Sequence, residues 1–88
     1  MVYGDDEDRR LAVRPAHREY AKGLAEQGKL LAGGPYTDGK GAQIVYEAAD
    51  EAEVRDLVAN DPYTKEGVLA STSIRQWETV TGAWLQPS

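Results

Sequence analysis

The chain has 88 residues, sets 15 acidic against 10 basic side chains for a formal net charge of −5, and contains no cysteine. A domain of this length hides only roughly 60–65% of its unfolded surface, so a partner subunit is expected; the acidic balance, with lysines and arginines that read as scattered, argues against a nucleic-acid binder. The lack of cysteine excludes disulfides, thiol catalysis and thiolate-bound zinc, no apolar run approaches the ~20 residues of a membrane span, and Met1 to Asp6 does not read as a signal peptide, so the expectation is a cytoplasmic protein.

Val2 and Tyr3 read as a short strand cut by Gly4. The acidic run Asp5-Asp6-Glu7-Asp8 reads as a solvated loop, since it lacks the alternating ligands and glycine of a calcium loop; no metal is expected. Pro15, whose missing N–H suits the first position of a helix, opens a predicted helix that runs to Gln27 and stops at Gly28. Lys29 to Gly34 predicts a strand, the turn formers from Pro35 to Gly41 a hairpin, and Ala42 to Ala48 the return strand. Ala42, Ile44, Tyr46 and Ala48 share one face of that strand; Gln43, Val45 and Glu47 share the other. Asp50 and Glu53 make an Asp form of the capping box, and Val54, Leu57 and Val58 supply the apolar stripe of a second helix that Pro62 ends. From Val68 to about Thr81 the chain predicts a long final strand. Residues 1–82 form the expected domain and Ala83 to Ser88 a short tail.

This order is that of a ferredoxin-like α+β fold, βαββαβ, with two helices on one face of an antiparallel sheet. Neither face of the Ala42 to Ala48 strand is wholly polar, which predicts a homodimer with the two uncovered sheet faces packed together.

His17, the single histidine, carries the chemistry. Its neighbours three, four and seven residues on are Tyr20, Ala21 and Leu24, which places the imidazole on the inward stripe of the first helix. Imidazole gains and loses a proton near neutrality, and a carboxylate at its ring fixes the tautomer and raises its basicity. Asp61, held by Pro62 at a helix exit, is the candidate carboxylate. Each residue also has a plain structural explanation, His17 as a half-buried helix histidine and Asp61 as a turn residue. Ser71, Thr72 and Ser73 lack the strained turn of a serine nucleophile, and neither glycine pair opens a phosphate-binding helix.

With those residues in place, the chain resembles the YCII-related (YciI-like) family. The motifs are Arg14-Pro15-Ala16-His17, Gly28-Lys29-Leu30-Leu31-Ala32-Gly33-Gly34-Pro35, Asp61-Pro62-Tyr63 with Gly67 downstream, and Ile74-Arg75-Gln76-Trp77 in the last strand. The resemblance implies a dimeric α+β barrel and an active site that pairs His17 with Asp61. It also implies metal-free, cofactor-free proton transfer on a small aromatic or lactone substrate, as in dehydrochlorinases of chlorinated hydroxyhydroquinones and muconolactone isomerases. The first strand is shorter than is usual in such proteins. Two classes of function follow. In the first, a lyase or isomerase, His17 is the acid or base, Asp61 orients it, and Arg14 or Tyr63 holds an anionic or carbonyl group of the substrate. In the second, the protein is a non-catalytic dimeric metabolite-binding module in which His17 anchors the ligand.

Overall fold

In the computed structural model, which describes residues 1–83, β1 (Val2–Tyr3) leads almost directly into α1 (Glu7–Glu26). The helix therefore starts well before Pro15, and the acidic run is its capped first turn rather than a loop. The Asp6 carboxylate accepts the Arg9 N–H at 3.0 Å, and Glu7 and Asp8 place negative charge at the positive end of the helix. Pro15 sits inside α1, where it removes the donor that would reach the Leu11 carbonyl. Both residues lie on the exposed side, where the Leu11 carbonyl is open to solvent and the lost bond costs little. The other end is as expected: Gly28 closes the helix at φ +75°.

β2 (Leu30–Pro35) and β3 (Ala42–Tyr46) form the expected antiparallel hairpin, with Gly33 opposite Ile44 and Pro35 opposite Ala42. β4 (Leu69–Ser71) pairs antiparallel with β1, Val2 lying opposite Ser71. These two-stranded sheets are joined edge to edge by a Val2–Gly41 bridge and by reciprocal bonds, Met1 N–H to Ala42 carbonyl and Ala42 N–H to Met1 carbonyl, both 3.0 Å. That approach requires a glycine at position 41, because a Cβ there would overlap the Met1 carbonyl oxygen. Gly41→Ala is expected to cost about 1–3 kcal/mol by forcing β1 away from β3. Urea denaturation checks this, and an unchanged midpoint would contradict it.

The long final strand is not formed: β4 ends at Ser71, and Thr72 to Thr81 carry no regular element, the Ile74–Trp77 segment included. The reason is a missing partner. Among the described residues no strand lies opposite Thr72 to Thr81, and β-propensity without a ladder makes no strand. Trp77 and Val80 consequently stand 60% and 78% exposed. From Trp84 onward, the expected tail lies outside the described residues.

α2 (Glu51–Ala59) begins as expected, with Asp50 accepting the Glu53 N–H at 2.9 Å and Leu57 and Val58 buried. Pro62 does more than end it. Proline at the first helical position opens a one-turn helix, α3 (Pro62–Lys65), capped by Asp61, so the fold has a third helix. α3 packs against α1. The core lies around this contact, with Leu24, Leu57, Val58, Tyr63 and Val68 all buried. Among the described residues no helix is long and apolar enough to cross a membrane.

Candidate active site

α3 brings Asp61 to α1. Its carboxylate, 1% exposed, sits 2.8 and 3.0 Å from Nδ1 of His17 through its two oxygens. Oδ1 also accepts the Tyr63 N–H at 2.9 Å. An ionised carboxylate only accepts, so it fixes the proton on Nδ1 and leaves the lone pair on Nε2. The Tyr63 ring lies flat against the imidazole, centroids 3.9 Å apart and planes within 2°. Tyr63 in turn meets the edge of Tyr3 at 6.1 Å, and the Arg10 guanidinium covers the Tyr3 ring at 4.1 Å. One edge and one face of the imidazole are thus held.

The ring borders a cleft of about 220 Å³ between α1 and the β2–β3 hairpin, with Arg14, His17 and Arg18 on one wall and Gly33, Gly34 and Pro35 on the other. Arg14, His17, Arg18 and Ala21 fall at helical spacings of three, four and seven, so they share one stripe. The sequence singles out Arg14 but not Arg18, which lines the same cleft and which this spacing could have indicated. Its cations also read as scattered, whereas Arg10, Arg14, Arg18 and Lys22 recur at every fourth position along α1 and form a ridge. Tyr63 lines the cleft but is only 2% exposed and serves mainly as the plate beneath His17. Thr72 and Ser73 line a separate cavity of about 510 Å³ with Tyr46, Val54 and Val58.

The nearby tyrosines are neutral donors at physiological pH. Burial raises the pKa of the Tyr63 hydroxyl, helped by Tyr3, and outweighs the lowering by Arg10 and Arg14. Burial, followed by Asp61 and Asp56, raises Tyr20, whose hydroxyl donates to the Leu57 carbonyl at 2.6 Å and ties α1 to α2. Tyr46 is raised furthest, by burial and then by Asp61 and Tyr20. A tyrosinate at Tyr20, Tyr46 or Tyr63 is therefore disfavoured.

Residues 1–78 match the YCII-related domain. The chain belongs to the YCII-related family. It is 36% identical over 77 residues to the derivative of benzaldehyde biosynthesis cluster protein C of Emericella nidulans, covering 75% of this chain and 79% of that protein. Among solved structures it is similar to 5-chloro-2-hydroxyhydroquinone dehydrochlorinase (TftG) of Burkholderia phenoliruptrix AC1100 in complex with 2,5-dihydroxybenzoquinone, with a TM-score of 0.77 and 29% identity over 88% of this chain and 87% of that one. This YCII-related chain therefore shares with that dehydrochlorinase an α+β fold of antiparallel strands and helices.

Proposed function

We propose that this YCII-related protein is a small-molecule lyase or isomerase in which His17 moves protons on a hydroxylated ring and Asp61 fixes its tautomer. The observation that carries the reading is the buried Asp61 carboxylate at 2.8 Å from Nδ1, which leaves Nε2 as the acceptor on a ring that borders a cleft. A similar dehydrochlorinase, whose complex holds a dihydroxybenzoquinone, supports a ring of that kind as substrate.

The chemistry balances without oxidant or reductant. Proton transfer to the ring carbon that bears the leaving group converts one hydroxyl to a carbonyl, and that hydroxyl's proton is released. A second hydroxyl then gives its proton to His17 as its electron pair forms a new carbonyl and the halide departs. The net loss is one hydrogen halide, and the product is a quinone. Arg14 holds an anionic or carbonyl oxygen of the substrate, and Tyr63 supports the ring of His17 at the cleft edge. The reading is tested by chloride release from 5-chloro-2-hydroxyhydroquinone and by solvent-deuterium incorporation into the unhalogenated triol. Both at the buffer rate would overturn it.

The active unit in this reading is a homodimer. The two strand pairs, joined through Met1 and Ala42, act as one ferredoxin-like sheet over residues 1–82, and its face away from the helices packs on a second copy to complete a dimeric α+β barrel. Val2 and Leu31, which follow the strands away from the cleft-lining Tyr3 and Leu30, are 49% and 58% exposed, and such a face is stabilised by burial against its like. Light scattering is expected to give twice the chain mass at micromolar concentration; a monomer mass would remove this part of the reading.

A further inference from the structure

The cleft carries charge that proton transfer by His17 does not require. Along the α1 ridge each cation stands one turn from the next, an arrangement that opposes helix formation. Arg9 pairs with Glu66, Arg10 faces Glu7 at 3.9 Å and Arg55 binds Glu51 at 3.0 Å. Arg14 and Arg18 have no carboxylate within 4.0 Å among the described residues, and these two line the cleft. The nearby carboxylate, Asp61, is buried behind His17. A protein with a net charge of −5 thus keeps a positive cleft. The facing wall bears no charge, and a Cβ added at Gly34 would meet nothing within 4 Å, so that wall is flat and open.

We propose that Arg14 and Arg18 form a clamp that selects substrates arriving as anions, small planar rings bearing an ionised oxygen, with Arg18 as a specificity-determining residue. The proposal rests on the reading of this cleft as the substrate site. Guanidinium groups present planar forks of donors that match an oxygen acid whose charge is shared between two atoms. Side chains four residues apart on a helix begin roughly 5–6 Å from one another, a spacing suited to two groups on one ring. Neutral rings of the same size gain nothing from this wall.

Calorimetric titration tests the clamp with two anions, 2,5-dihydroxybenzoquinone and 2,5-dihydroxybenzoate, and with neutral hydroquinone. The folded protein is expected to bind at least one anion roughly tenfold or more tightly than hydroquinone, the scale of a single charge-assisted hydrogen bond. Stronger binding of the quinone assigns an ionised ring oxygen as the recognised group, and stronger binding of the benzoate assigns a carboxylate. The preference is expected to fall roughly tenfold in Arg14→Gln and in Arg18→Gln, to recover in part in Arg18→Lys, to shrink with added salt, and to persist in His17→Ala. Equal affinity for all three probes, no saturable anion binding, or a preference unmoved by both Gln variants would overturn it. The His17→Ala arm keeps the two readings apart: loss of the acid/base role shows in turnover, and loss of the clamp shows in binding.

Discussion

His17→Ala is expected to lower turnover of 5-chloro-2-hydroxyhydroquinone by about 10²–10⁴-fold, the usual worth of a positioned acid or base, while circular dichroism shows an intact fold. The size of the effect follows from how completely the ring is specified. Asp61 takes Nδ1 through both oxygens, Tyr63 lies against one face at 3.9 Å, and His17 borders the cleft. Tyr20, Tyr46 and Tyr63 are poor substitutes, because burial holds them above their ordinary pKa. Removing the imidazole leaves a slot bounded by the Tyr63 ring and the Asp61 carboxylate, so added imidazole is expected to restore part of the activity. Chloride release is the measurement. Wild-type rates from the alanine variant would mean that His17 does not carry the proton.

The parts of this site that local rules govern were legible from the sequence. The inward stripe of Tyr20, Ala21 and Leu24 places His17, and the Asp50–Glu53 cap and the Gly28 stop are written in single residues whose conformations follow from their chemistry. The errors arose where a residue has two lawful uses. Pro15 suits the first turn of a helix but also survives inside one when its lost bond faces water, and the cap at Asp6 decided between them. Pro62 both ends α2 and begins α3, and it is this second use that turns Asp61 into a cap and points it at His17. The final strand failed for a different reason. Val68 to Thr81 has the composition of a strand, but pairing depends on what lies opposite, and composition holds no record of which segments the fold sets beside it. Arg18 does not stand out in the sequence because arginine on a helix is ordinarily a solvated residue; its place on the cleft depends on the β2 wall opposite, a juxtaposition of segments distant in sequence.

Asp61→Ala is expected to destabilise the protein by about 2–4 kcal/mol, which for a domain of this size lowers the melting temperature by about 10–30 °C. Two losses coincide. The Tyr63 N–H loses its cap acceptor, worth about 0.5–2 kcal/mol, and the His17 Nδ1–H is left without a partner in a site where the carboxylate was 1% exposed, at a cost of about 1–3 kcal/mol. The two share one side chain and do not simply add. Asp61→Asn separates these effects from catalysis. Its carbonyl oxygen still caps α3, since Asn and Asp are equivalent caps, so its melting point is expected to stay within a few degrees of wild type. Its amide, however, can present N–H to the imidazole, which reverses the tautomer and places the proton on Nε2, where the base is needed. Turnover is therefore expected to fall in the asparagine variant although the fold holds. Calorimetry and chloride release on the same samples check both halves. If Asn melts as low as Ala, the charge on Asp61 holds the fold and the cap does not. If Asn keeps full turnover, the carboxylate is a structural cap beside a histidine that needs no help in choosing its tautomer.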